Sequence, residues 1–348
     1  MCETGKAVLI ADYSTDTQCE PVPNCNVGSF LCVPLLSNDK ALGTVNLVNG
    51  SGARRHFSET DRLAMTQIAS LAGTAIENAI LHRDLLEKEA IEANLKIAQS
   101  IQEGMYPTRT LDLPGYDVAW VNESCDETGG DYFDFITMPD GRLALSIGDV
   151  SGHGIGAAIL MATGRANLRA LLSVKSDLKE VMERLNNLLE SDMDMEKFMT
   201  LFLGILDCQT GELIYVNAGH DCPLLYIREN DSIEEFQTSG IPIGMFPNWS
   251  YDSVHYARRL GPGDTLLLTT DGLWEAVGHN GDRYGKERLK KVFRESVELD
   301  AAAMVERVMN DVHEFCGPVQ AKDDMTLVVV KNNAAGSPQV RVEDAEPA

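Results

Sequence analysis

The chain has 348 residues, of which 44% are hydrophobic and 24% charged, and its formal net charge is −24. This length predicts about two domains, each with a core of its own. The acidic balance argues against nucleic acid and an anionic membrane as partners, because both would repel the chain. No apolar run reaches the roughly 20 residues of a membrane-spanning helix. The N-terminus lacks the basic segment of a signal peptide, and the eight cysteines include no CxxC pair, so the sequence predicts a cytoplasmic protein with free thiols.

Residues 1–80 alternate short strand-like segments with turns. These segments are KAVLIADY, SFLCVPLL and ALGTVNLVNG, and the turn Asn49–Gly52 follows the last of them. Ser58 and Asp61 then form the pattern of a capping box, which predicts the start of a helix. We expect a small α/β domain in this part of the chain.

Residues 81–107 continue this helix as a linker, which Pro107 ends. Apolar residues recur along the helix at alternating steps of four and three, with Arg83 as the one interruption: Ala72, Ile76, Ala79, Leu86, Ala90, Ala93 and Ile97. This spacing is typical of a coiled coil and predicts a homodimer formed through the linker helix. Packing within one chain is the alternative, because the series is rich in alanine.

Residues 108–331 have a different pattern, in which strand pairs alternate with helices. The strand-like segments are YDVAWVNES, YFDFITM, RLALSIGDV, FMTLFLGILD, ELIYVNAG, PLLYIRE, DTLLLTTD and MTLVVVK. Helices are predicted over 155–173, 177–190 and about 286–316. Tight turns between several strands imply antiparallel sheets, so we expect a layered α+β domain. The polar residues 332–348 predict a disordered tail.

Four aspartates in this region lie at strand ends: Asp131, Asp149, Asp271 and Asp323. Each one alone fits a turn or a helix cap. Together they favour a cation site, because four like charges cannot gather at buried strand ends without a counter-charge, and Lys322 is the one basic residue beside them.

The ligand chemistry narrows the choice of cation. Oxygen ligands without His or Cys select Mg²⁺ or Mn²⁺. Several carboxylates can hold two such ions about 3.5–4 Å apart, an arrangement that activates water for attack on a phosphoryl group. The glycines around Gly130 and after Val150 let the backbone approach the ions, and Val150 would offer its carbonyl oxygen. The residues therefore predict a two-metal hydrolase and leave its substrate open.

Seven sequence blocks, in order, resemble those of the metal-dependent protein Ser/Thr phosphatases, in the bacterial branch of sporulation and stress-response regulators. The blocks are GGDYFDF, LSIGDVSGHGIGAAILMA, YVNAGHDCPLL, SGIPIGM, LGPGDTLLLTTDGLWEA, RYGKERL and KDDMTLVVV. The resemblance covers residues 111–331 and implies an αββα sandwich. Residues 1–80 resemble part of a GAF sensor domain, with features missing at its start.

The phosphatase resemblance implies a role for each site residue. Asp149 would bridge two Mn²⁺ or Mg²⁺ ions, and the remaining ligands would be Asp131, Val150, Asp271 and Asp323. Gly130, Asp324 and His153 would support these ligands from behind, and Asn217 and His220 would shape the substrate side. Water activated by the ions would attack the phosphorus directly. For His153, a structural role in the loop and protonation of the leaving group are both open.

The resemblance also implies a substrate and a form of regulation. The expected partner is a phosphorylated protein of the anti-sigma-factor antagonist type, and the N-terminal sensor and linker helix would control the activity. Two alternatives remain. One is a catalytically silent signalling module of the same fold, and the other is a phosphatase of small molecules.

Overall fold

The computed structural model describes residues 5–16, 26–38, 40–107, 111, 113–175, 177–192, 197–251 and 256–333. Residues 334–348, most of the predicted tail, lie outside this description. Backbone contacts divide the chain into two compact units, Met1–Ala93 and Asn94–Ala348. Within the described residues, no helix is both long and apolar enough to cross a membrane.

The first unit contains a three-stranded antiparallel sheet and most of a long helix. Its elements are β1 (Val8–Ile10), β2 (Val27–Ser37), β3 (Lys40–Gly50) and α1 (Glu59–Glu103), with strand order β1-β2-β3. The helix begins where the capping box predicts. The backbone N–H and the hydroxyl of Ser58 donate to the Asp61 carboxylate at 2.8 and 2.6 Å.

In the part of the second unit that the structure describes, ten strands and five helices begin after α1. They are β4 (Tyr116–Glu123), β5 (Tyr132–Thr137), β6 (Leu143–Val150), α2 (Ile155–Leu172), α3 (Leu178–Asp192), β7 (Met199–Leu206), β8 (Glu212–Ala218), β9 (Leu224–Ile227), β10 (Ser232–Glu235), β11 (Tyr256–Arg259), β12 (Thr265–Thr269), α4 (Asp271–Trp274), α5 (Lys286–Ser296), α6 (Ala301–Cys316) and β13 (Met325–Asn332). The strands form two antiparallel five-stranded sheets, β10-β9-β12-β13-β4 and β11-β8-β7-β6-β5.

The two sheets pack face to face, with α2 and α3 on one outer face and α5 and α6 on the other. Alternation along the strands builds this αββα sandwich. On β6, Leu143, Leu145 and Ile147 point between the sheets, whereas Ala144 points towards α2 and α3. The predicted fold is therefore confirmed.

The predicted helix over 286–316 is wrong in one respect, because it is two helices. Ser296 ends α5, and α6 begins at Ala301. Between them Asp300 acts as the N-cap, since its carboxylate accepts a hydrogen bond from the Ala303 backbone N–H at 2.7 Å. The linker helix likewise ends at Glu103, four residues before the predicted stop at Pro107.

A buried ion pair fastens α2 to β5. The Asp134 side chain is fully buried and accepts two hydrogen bonds from Arg169, both at 2.6 Å. The Nε atom of Arg165 lies 3.7 Å from the same carboxylate. Because β5 follows directly after Asp131, this ion pair fixes α2 relative to a strand of the predicted site.

Arg169→Ala is expected to lower the free energy of unfolding by about 3 kcal/mol, because it leaves the buried Asp134 carboxylate without its bidentate partner. Urea denaturation measures this loss. The matched control Arg142→Ala removes a pair with Asp140 at the surface and should cost less than about 1 kcal/mol. Equal losses in the two variants would show that the Asp134 pair does not anchor α2.

Candidate metal centre

The fold brings all four predicted aspartates to one edge of the sandwich. β5 and β6 are antiparallel, with Tyr132 opposite Gly148, so Asp131 and Asp149 lie at the same end of that pair. In the other sheet, Thr269 at the end of β12 pairs with Leu327 near the start of β13. Asp271 and Asp323 therefore share an end as well, and each sheet contributes two carboxylates.

The four carboxyl groups perturb one another. Burial, followed by the charges of Asp271 and Asp323, raises the pKa of Asp149 to about 8. Burial and the charge of Asp323 raise the pKa of Asp271 to about 6. The pKa of Asp131 lies well above its ordinary value because of burial and the charge of Asp149. Burial likewise raises the pKa of Asp323. A cation in their midst would offset this repulsion, so the residues fit a metal centre.

The backbone at Gly130 leaves space next to the carboxylates. A Cβ atom at this position would lie 2.7 Å from the Val150 carbonyl oxygen and 3.2 Å from Oδ1 of Asp149. The Val150 N–H donates to the Gly130 carbonyl at 3.3 Å. The absence of a side chain at Gly130 therefore lets the Val150 carbonyl oxygen and the Asp149 carboxylate share one cradle, as a hard cation requires.

As the side chains stand, no group of three or more His, Cys, Asp or Glu residues among those the structure describes is placed to hold a metal ion.

Asp324 supports this cradle from behind. Its carboxylate accepts hydrogen bonds from the backbone N–H groups of Cys125, at 2.8 Å, and Gly130, at 2.7 Å. Both oxygens therefore face the loop that leads into Asp131. Burial raises the pKa of the Cys125 thiol to about 12, so this cysteine is a neutral structural residue.

Two threonines that sequence reasoning missed orient Asp131. The hydroxyls of Thr270 and Thr326 donate to Oδ2 of Asp131 at 2.7 and 2.6 Å. Both lie on the side of the opposite sheet, where Thr270 follows β12 and precedes Asp271, and Thr326 lies on β13. Each threonine lies next to an acidic segment, in TTD and DDMT, and this proximity is the sequence feature from which the two residues could have been predicted.

His153 lies at the mouth of the centre, with its side chain 70% exposed. Its Nδ1 atom is 2.7 Å from Oδ2 of Asp126. The contact joins the glycine-rich loop after β6 to the loop that precedes Asp131. This exposed position agrees with a role in structuring the loop and also leaves the ring accessible to a leaving group.

Asn217 and His220 lie behind the centre and not at the surface. The Asn217 side chain accepts from the His220 N–H at 2.8 Å and donates to the His220 carbonyl at 3.0 Å. The Nδ1 atom of His220 is 2.9 Å from the Thr200 hydroxyl, which in turn accepts from the Asp149 N–H at 3.2 Å. Burial lowers the pKa of His220 to about 4, so the ring is neutral. The structure thus connects both residues to Asp149 and buries the side chains that the sequence assigned to the substrate side.

The end of α1 contacts the same loop. The Gln102 side chain donates to the Gly129 carbonyl at 2.7 Å and accepts from the Gly129 N–H at 3.0 Å. One turn later, the Tyr106 hydroxyl donates to the Asp131 carbonyl at 2.7 Å. The backbone of the centre is therefore held by side chains from the last residues of the linker.

The fold recurs in solved bacterial structures. The SiaA-PP2C domain of Pseudomonas aeruginosa aligns with a TM-score of 0.60 at 21% identity, over 70% of this chain and 98% of that domain. The RsbU and RsbW domains of Rv1364c from Mycobacterium tuberculosis align with a TM-score of 0.54 at 28% identity, over 65% of this chain and 62% of that chain. The fold, together with the relatives described next, identifies a protein serine/threonine phosphatase of the PP2C type.

Residues 139–333 match the family model of Stage II sporulation protein E (SpoIIE), and the chain belongs to this family. Residues 1–77 match the model of a GAF domain. Phosphoserine phosphatase RsbU of Bacillus subtilis is 24% identical over 70% of this chain and 71% of its own length. Protein IcfG of Synechocystis is 28% identical over 69% of this chain, but this alignment spans 41% of IcfG. Phosphatases of this family depend on metal ions.

The raised pKa of Asp149 predicts a pH-dependent stability in EDTA. A carboxyl group with a raised folded-state pKa stabilises the fold while protonated, and this contribution is lost as the pH rises through that pKa, here about 8. The thermal midpoint should fall by several degrees from pH 6.5 to pH 9, a window that excludes the titration of His220. The thermal midpoint of Asp149→Asn should fall less over the same pH range. An equal fall in the variant would contradict the conclusion that Asp149 titrates in this range.

Proposed function

We propose that the phosphatase uses two Mn²⁺ or Mg²⁺ ions held by Asp131, Asp149, Asp271, Asp323 and the carbonyl oxygen of Val150. The observation that carries this proposal is the position of four carboxylates with raised pKa values at one edge of the sandwich. When bound, such ions lower the pKa of water and polarise a phosphoryl oxygen.

The protein residues position this chemistry. Asp149 interacts electrostatically with Asp131, Asp271 and Asp323, so it would hold the ions together with carboxylates of both sheets. The hydroxyls of Thr270 and Thr326 both donate to Oδ2 of Asp131, so Oδ1 can face a cation or a bound water. Asp324 and Gly130 keep the loop in place. His153 is accessible for proton transfer to a leaving group, and its ring would be held by Asp126.

A phosphorylated protein of the anti-sigma-factor antagonist type is the substrate we propose. The similarity to the phosphoserine phosphatase RsbU supports a phosphoserine protein. With a net charge of −24, the chain does not attract such a substrate by charge, so recognition must depend on shape. A small-molecule phosphatase is the second candidate, whereas the full set of four acids disfavours a silent module. Free thiols among the described cysteines support the cytoplasmic location that the sequence predicts.

The linker helix offers a route for regulation by the N-terminal unit. Gln102 and Tyr106 hold the backbone of Gly129 and Asp131, so a shift of this helix end would move a predicted metal ligand. We propose that signals reach the centre through this contact.

Asp149→Asn should lower the rate of p-nitrophenyl phosphate hydrolysis by the full chain in Mn²⁺ at least about 100-fold, because a lost bridging ligand removes several kcal/mol of transition-state stabilisation. EDTA should abolish the wild-type activity. The control Asp140→Asn alters an exposed carboxylate in a hairpin turn and should leave the rate unchanged. Wild-type turnover that persists in EDTA would contradict the metal assignment.

The same helix supports the proposed homodimer. Every residue from 78 to 94 is exposed, including Leu86. An isolated helix surrounded by water gains little from packing, so this stretch needs a partner. The predicted apolar series supplies a seam for a second copy.

Leu86→Glu should shift the full chain from dimer towards monomer in sedimentation velocity, because it places two charges in the seam. Leu81→Glu is the matched control, since Leu81 is exposed on the same helix but lies outside the apolar series. An equal effect of both substitutions, or a monomeric wild type, would contradict a dimer through this seam.

A further inference from the structure

A groove of about 550 Å³ opens beside the metal centre. Its floor is formed by apolar side chains from two segments. Ala276 and Val277 follow α4, and Val319 and Ala321 lie between α6 and β13; these four are half-buried, whereas Met325, the first residue of β13, is buried. This volume lies in the range of pockets that hold several side chains or a small ligand.

One end of the groove belongs to the centre itself. Asp323 and Gly272, the residue after Asp271, line the groove. Glu275 lines it too, and its negative charge contributes to the raised pKa values of Asp271 and Asp323. Adjacent residues of an extended chain are about 3.3–3.6 Å apart. When the phosphate of a phosphorylated segment reaches the carboxylates, the residues on either side of the phosphorylated residue therefore lie at the mouth of this groove.

The charges at the rim indicate what the groove accepts. Glu275 pairs with Arg283 at 2.7 Å, and Glu123 lies 2.8 Å from Nε2 of His313. Glu275 and Glu123 therefore each have a side-chain partner, whereas Lys322 forms no ion pair with any residue the structure describes. The groove combines an apolar floor with a polar rim.

We propose that this groove binds an apolar side chain next to the phosphoserine of the protein substrate and so contributes to substrate specificity. The proposal rests on the proposed phosphoprotein phosphatase function. An apolar residue gains from burial on this floor, whereas a polar residue would lose its hydration without a partner.

Two synthetic phosphoserine peptides of equal length test this binding. One carries leucine on both sides of the phosphoserine and the other carries serine, because the chain direction in the groove is open. The full chain in Mn²⁺ should show a kcat/KM about tenfold or more higher for the leucine peptide. Val277→Asp and Val319→Asp, on separate segments of the floor, should each reduce this preference to about one.

Leu188→Asp is the matched control, because it places the same charge at an exposed leucine on α3, on the opposite face of the sandwich. This variant should keep the leucine preference. Circular dichroism identifies any variant that fails to fold. The comparison of the two peptides with the wild-type chain does not depend on the variants.

The outcomes separate the two proposals. Wild-type hydrolysis of p-nitrophenyl phosphate without a leucine preference overturns the groove alone. Retention of the preference in the folded Val277 or Val319 variants also overturns it, as expected if a small effector occupies the groove instead. Absence of p-nitrophenyl phosphate hydrolysis by the wild type overturns both proposals.

Discussion

Repulsion between carboxylates that the fold holds at one edge of a two-sheet sandwich is the constraint on which the other features of the centre depend. Asp149 lies on β6 and Asp131 directly precedes its partner β5, whereas Asp271 and Asp323 lie just beyond the paired strands β12 and β13. The three apolar layers of the sandwich fix these strands in place and so hold the strand ends close together.

The hydrogen bonds around the centre reach from one sheet to the other. Thr270 and Thr326 belong to the β12–β13 side and orient Asp131 on the β5–β6 side. Asp324 holds Gly130 across the same divide. These contacts align the two halves of the ligand set, so the geometry of the centre depends on how the sheets are packed as well as on each strand.

The sequence predicts the local features well, because alternation and glycine context are visible within a few residues. It could not predict partners that meet only after folding: Thr270 lies 139 residues from Asp131 and Thr326 lies 195. The break between α5 and α6 was missed for another reason. The apolar period continues across it, and the capping role of Asp300 depends on local backbone geometry. The burial of His220 likewise follows from the packing of β8 and is invisible in its sequence neighbourhood.

The loop from Gly129 to Asp131 is held from two directions. Asp324 binds it from the sandwich, whereas Gln102 and Tyr106 bind it from the end of α1. Gln102 lies near the end of α1, the helix that also contains the exposed residues 78–94. The loop is also the point where Gly130 adjoins Val150 and Asp149. A displacement of the helix end by a fraction of an ångström would therefore alter the cradle directly, without a separate relay through the apolar core.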